Sequence, residues 1–213
     1  MNRIVILQPS YLPWLGYFDQ MVRADTFVFL DDVQFTRRDW RNRNKIRTRQ
    51  GWTWLTVPIL QKGNFNQSLL ETKIDNTIPW RKKHLNSIRT HYAKTPFFDL
   101  YFYAFESIIN KGHEKLVDLS LEIILWLKDI IGIDTPTLRS SELNIEGVKK
   151  KRILSICQQL SATHYLSGEV GEDYLAGLDF LRYNITLEYQ HYQHMLQLVC
   201  LYHLLTYQAL SEN

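Results

Sequence analysis

Ile4-Val5-Ile6-Leu7-Gln8-Pro9-Ser10-Tyr11-Leu12-Pro13-Trp14-Leu15-Gly16-Tyr17 is the stretch that decides the fold. It opens with a short apolar, β-branched run that ends at Pro9, and residues 16–23 then read as a helix. A buried strand that stops in an irregular turn and feeds a helix is the ligand corner of an open α/β sheet. Loop amides, strand ends and a helix start converge there. Pro9 and Pro13 stiffen the turn, while Tyr11 and Trp14 supply broad faces with polar edges. The plainer alternative is a proline-rich turn that closes the core with its aromatic rings.

Working outward, residues 25–32 form a second strand that runs into Asp31 and Asp32, and its distance from the first fits a right-handed βαβ unit. Residues 33–46 are dense in Arg and Asn yet contain Phe35 and Trp40, which suits neither a clean helix nor a plain solvated loop. Residues 52–59 alternate well enough for a strand. From Pro79 the chain turns helical: Trp80, His84, Ile88 and Tyr92 share one helical face. Tyr101, Phe105, Ile108 and Ile109 mark a second helix closed by Gly112. Leu116, Leu119, Ile123, Leu127 and Ile130 mark a third, stopped at Gly132. Residues 135–138 read as a strand, 148–160 as a helix, and 163–166 and 185–189 as strands, the former running into Ser167-Gly168-Glu169. The expectation is an α/β protein with a mostly parallel, open, Rossmann-like sheet and a helical insertion. Its parts are an N-terminal α/β portion (1–78), the insertion (79–132) and a C-terminal α/β portion (133–213), in one compact domain.

The 213 residues, 45% hydrophobic, are enough for a substantial core. A net charge of +3, with cations gathered at 37–49, 81–83 and 149–152, is local positive potential too weak overall to argue for nucleic acid, so RNA ranks below a small-molecule ligand. Cys157 and Cys200 offer neither a disulfide framework nor metal spacing. Arg3 and the proline turn interrupt the N-terminal apolar run, so no signal peptide is expected, and no run is long enough for a bilayer. The expected setting is cytoplasmic, with a small-molecule ligand; a homo-oligomer is compatible with the sequence.

Neighbouring side chains of an extended chain point to opposite faces, so one of Asp31 and Asp32 reaches a ligand. Asp32 is the choice, because Gln34 faces the same way, and it could bind a ribose or sugar hydroxyl, hold a divalent ion or act as a catalytic base; the alternative is a turn carboxylate capping amides. Arg41 and Arg43 are candidates for phosphate, since guanidinium forks match its oxygens in pairs. Asn42 and Asn44 suit hydroxyls or amides, and Trp40 and Trp54 suit ring stacking. A solvated basic loop is the alternative for this segment. His84, between Trp80 and Lys83 on its helix, is the candidate for proton transfer, against the structural role that a single helical histidine more often has. Ser141 and Glu142 suit a loop contact or a cap. Cys157 falls on an apolar helix face and is expected to be inert. Residues 149–152 read as a solvated helix start. His191 and His194 are too loosely spaced to argue for a metal. No cofactor is identified.

These residues also carry a resemblance. Gln8-Pro9-x-Tyr11-x-Pro13-Trp14-x-Gly16-Tyr17, Asp31-Asp32-Val33-Gln34-Phe35 and Trp40-Arg41-Asn42-Arg43-Asn44 resemble the WbqC-like protein family. So do Trp54-Leu55 with Pro58, Trp80-x-x-Lys83-His84, Ser140-Ser141-Glu142-Leu143, and Tyr165-Leu166-Ser167-Gly168 with Tyr174-Leu175. The resemblance implies an association with bacterial surface-polysaccharide (O-antigen) genes. With it, the expected function is a transferase modifying a nucleotide-activated sugar, at an amino group. Arg41 and Arg43 would hold the diphosphate, Asp32 and Gln34 hydroxyls, Tyr11 and Trp14 a stacked ring, and His84 would be the acid/base. Gln8, Trp40, Asn42, Asn44, Trp80, Ser141, Glu142 and Ser167 complete the expected binding set. A second likeness, of the first corner and of Tyr165–Glu169, is to nucleotidyl-transferase-like adenylate folds, although residues 8–17 lack their His-x-Gly-His. An adenylate-forming ligase or nucleotidyltransferase is therefore one alternative, and a non-catalytic sugar- or nucleotide-binding accessory protein is the other. After His194 the chain departs from the family's expected His-Pro-x-Tyr-x-Gln and Asp-Leu-Leu-Phe-Asn elements, as a truncated or frame-shifted tail would.

Overall fold

A computed structural model describes residues 1–37, 39–61, 66–192 and 200–206. Its first half contains β1 (Arg3–Leu7), α1 (Leu15–Val22), β2 (Thr26–Phe29), β3 (Arg43–Thr48), β4 (Gly51–Thr56), α2 (Trp80–Tyr92) and α3 (Phe98–Asn110). Then follow α4 (Leu116–Ile130), β5 (Thr137–Arg139), α5 (Lys149–Gln159), β6 (His164–Gly168), α6 (Gly171–Leu175), β7 (Thr186–Gln190) and α7 (Cys200–Thr206). The described residues group into two compact units, one drawn from 1–8, 16–32 and 133–195, the other from 9–15, 33–132 and 196–213.

The first unit is built on a five-stranded sheet in the order β5-β2-β1-β6-β7, with every pairing parallel. Ile4, Val5 and Ile6 of β1 are all buried, as a central parallel strand covered on both faces requires. The register sets Val5 beside Phe27 on one side and Leu166 on the other. From β1 the chain moves outward through β2 to β5, then crosses back to place β6 on the far side of β1 and continues to β7. Right-handed connections running in opposite directions put α1 on one face of the sheet and α5 on the other. The reversal between β1 and β6 is a topological switch point, and ligands of such sheets collect at the carboxyl ends of the strands there.

The second unit pairs β3 with β4 in an antiparallel hairpin, Lys45 opposite Trp54 and Arg47 opposite Trp52. Residues 33–46 thus contain a strand that composition hides: Asn44 and Ile46 point inward, and the cations between them point out. The strand expected over 52–59 is Gly51–Thr56, and it lies in this hairpin and not in the main sheet. Of α2, Trp80, His84, Leu85, Ile88 and Tyr92 are buried, the expected helical face with Leu85 added. Phe98 and Phe102 stack with centroids 4.4 Å apart, and α7, which periodicity did not reveal, is tied in by Cys200 N–H donating to Pro13 O at 2.8 Å. Among the described residues no helix is long and apolar enough to cross a membrane.

Candidate functional site

Parallel strands end together, so the first unit gathers its strand-end residues along one edge. Gln8 follows β1, Asp31 and Asp32 follow β2, and the single turn Ser140–Glu142 follows β5. Ser167 and Gly168 end β6, and Gln190 ends β7. The expected strand over 25–32 is shorter, which leaves both carboxylates beyond the last paired residue, where the chain is free to turn.

Both carboxylates bend toward β5, and they are held differently. Asp31 is 0% exposed. Arg139 Nε donates to it at 2.6 Å, the Ser141 N–H at 3.0 Å and the Ser141 hydroxyl at 2.9 Å. The Asp31 N–H in turn donates to Ser140 Oγ at 3.1 Å, whose hydroxyl reaches Asp32 Oδ1 at 2.7 Å. Arg152 pairs with the other Asp32 oxygen and also donates to Ile145 O at 2.6 Å. The Asp32 side chain keeps 21% of its surface exposed. Asp31 is therefore the structural carboxylate, and Asp32 the one with an open flank. Arg139 and Arg152 were not among the expected site residues. The signal for Arg152 was its position four residues before the fully buried Ile156, which puts it on the inward face of α5 and not with the solvated lysines.

Two contacts shape the rest of this edge. Gln190, buried, donates from Nε2 to Gly16 O at 2.9 Å and to Asp19 at 2.5 Å, and accepts from Gln20 at 2.7 Å, which fixes the start of α1 against the end of β7. A Cβ added at Gly171 would stand 2.1 Å from Ser167 Oγ, so the absence of a side chain there permits the observed hydroxyl position.

The other expected residues lie in the second unit. His84, 1% exposed, has its Nδ1 2.8 Å from the Tyr11 hydroxyl and its Nε2 3.1 Å from the Thr56 carbonyl, with the Trp80 ring edge-on at 5.2 Å. Burial pushes its pKa down to about 4 and pushes that of Tyr11 up. Both ring nitrogens of His84 are thus engaged, one with Tyr11 and the other with Thr56. Asn44 donates to Leu12 O at 2.6 Å, at a residue with φ of 52°, and Asn42 donates to Val57 O at 2.8 Å. These buried carboxamides hold main chain in place, which accounts for the burial that hydroxyl recognition would not. Arg41 donates to Ser10 Oγ at 3.0 Å and pairs with Asp39 at 3.6 Å. The Arg43 guanidinium lies 4.2 Å above the Trp54 ring, whose centroid is 5.5 Å from that of Trp40. Trp14 is half-buried, and exposed Gln34 has its amide 3.5 Å from Asn66 Oδ1.

Cys157 is buried and its thiol is pushed up to about 12, consistent with an inert side chain. Among the described residues no group of three His, Cys, Asp or Glu is placed to hold a metal ion; His194 lies outside them.

A family model described as the WbqC-like protein family matches residues 8–201. An uncharacterized protein of Mycobacterium tuberculosis, Rv1507c, is 36% identical over 176 residues, spanning 82% of this chain and 76% of its own. No solved structure matches.

Proposed function

Because this chain belongs to the WbqC-like protein family, we propose that it is a transferase modifying a nucleotide-activated amino sugar for bacterial surface-polysaccharide (O-antigen) synthesis. The observation that carries the reading is the carboxyl edge of the five-stranded sheet. Polar residues lie at or just beyond every strand end there (Gln8, Asp31 and Asp32, Ser140 and Ser141, Ser167, Gln190), and the strand order reverses between β1 and β6. Asp32, paired with Arg152 and still partly exposed, accepts from sugar or ribose hydroxyls. Gln8, Ser141, Glu142 and Ser167 are the further binding groups of this edge.

One observation favours a second reading, a sugar- or nucleotide-binding protein without chemistry of its own. Of the two expected proton-transfer groups, His84 has both nitrogens engaged and Asp32 is paired with Arg152.

A thermal-shift and calorimetric screen of UDP-, GDP- and dTDP-linked sugars, with mass spectrometry of the mixtures after incubation with acyl donors, tests both. Saturable binding of a nucleotide sugar with a mass gain on the sugar supports the transferase, and binding without a product supports the second reading. Binding of ATP alone, with pyrophosphate exchange, would overturn both in favour of adenylate chemistry.

A further inference from the structure

The outward face of the β3–β4 hairpin carries two parallel rows of side chains. Along β3, Arg43, Lys45 and Arg47 project outward at every second residue, and exposed Arg49 follows at the hairpin end. Along β4 the same face carries Trp52 and Trp54. The register sets each ring against a cation: Lys45 Nζ is 4.9 Å from the Trp54 centroid, and the Arg47 guanidinium is 5.9 Å from that of Trp52. Residues 40–57 contain no Asp or Glu, and among the described residues neither Lys45 nor Arg47 forms a salt bridge. Trp52 is 47% exposed and Trp40 is 45% exposed. Contiguous aromatic surface left in water beside cations is the kind of surface that marks an interaction site.

We propose that this face binds single-stranded nucleic acid. Successive outward residues of a strand are about 6.7 Å apart, and the two rows are about 4.8 Å apart. A single strand offers a matching pair of rows, phosphates at regular steps and bases alongside. Guanidinium and ammonium groups track the phosphates while the indoles stack on bases, whatever the sequence. The repeat of three cations along β3 exceeds what one diphosphate needs, which points to a polymer. An acidic polysaccharide fits less well, because its charge and its rings lie in one row. The net charge of +3 conceals the feature, since acidic residues elsewhere in the chain offset a face that itself has none.

Fluorescence anisotropy of the full chain with a labelled oligo-dT or oligo-U of about 12 nucleotides tests the proposal. The expected result is salt-dependent binding that Trp52→Ala weakens about tenfold and Trp52→Phe largely restores. The double variant Lys45→Ala/Arg47→Ala lowers the log–log salt slope by about 1.4, two phosphate contacts' worth for a single strand. These residues lie outside the groups assigned to the nucleotide sugar, so all variants should keep the ligand response of the parent chain, which also reports that they are folded. No binding at low salt, equal binding of duplex, or displacement by heparin equally from wild type and Trp52→Ala would each overturn the proposal.

Discussion

Tyr11 and His84 are 73 residues apart in sequence and joined by a hydrogen bond of 2.8 Å in the second unit. The Thr56 carbonyl on the far side of the ring can only accept, so Nε2 carries the proton and Nδ1 accepts from the phenol. The imidazole is a neutral link that fixes both the Pro9–Leu15 turn, through Tyr11, and the end of β4, through Thr56.

Removing the phenol oxygen leaves Nδ1 buried without a donor. Tyr11→Phe is expected to cost about 1–3 kcal/mol of stability, read from urea denaturation at pH 7, whereas a surface tyrosine such as Tyr103 changed to Phe should cost almost nothing.

Stability should also depend on pH through this ring. Folded His84 titrates near 4 and an ordinary imidazole near 6.5, so between these values the unfolded chain binds more protons than the folded one. The contribution is complete above pH 6.5, falls as pH drops through the window and levels off below 4, with a total of roughly 3 kcal/mol. Urea midpoints measured from pH 7.5 to 4 should show this decline, and His84→Gln should flatten that part of it.

The adjacent carboxylates of the first unit should separate cleanly on substitution. Asp31→Ala leaves Arg139 facing a void at a fully buried position and is expected to cost about 3–5 kcal/mol, measured by chemical denaturation. Asp32→Asn keeps an acceptor for Ser140 at a partly exposed position, and its cost should stay within about 1 kcal/mol.

Gly171→Ala should turn the Ser167 hydroxyl out of its position, because the new methyl would stand 2.1 Å from it. Ser167→Ala removes the clash, so the double variant should melt closer to wild type than Gly171→Ala alone; equal midpoints for the two Gly171 variants would contradict that geometry.

Much of the fold could be read from the chain because the strands of the first unit are continuous apolar runs and the longer helices of the second keep a clear 3.6-residue period. Ile4–Leu7, the Trp80–Tyr92 face and the stop at Gly132 all rest on burial of that simple kind. The hairpin was hard to read because the period-2 signal of β3 is written in cations, and a hydrophobicity pattern is blind to it. The candidate site was legible at its strand ends, where Asp31-Asp32 and Ser140-Ser141 stand out. Which aspartate is buried depends on Arg139 and Arg152, 108 and 120 residues away from their partners, and local sequence holds no trace of such pairings. The contacts of His84 were hidden for a related reason: its partners Tyr11 and Thr56 lie 73 and 28 residues away.

Whether the sheet's carboxyl edge holds the ligand is tested by calorimetric titration of the best nucleotide sugar from the screen into wild type, Asp32→Asn and Ser141→Ala. The predicted result is at least a tenfold loss of affinity in both variants, with melting temperatures close to the parent's. Unchanged affinity in both, in protein that binds the sugar and stays folded, would contradict it.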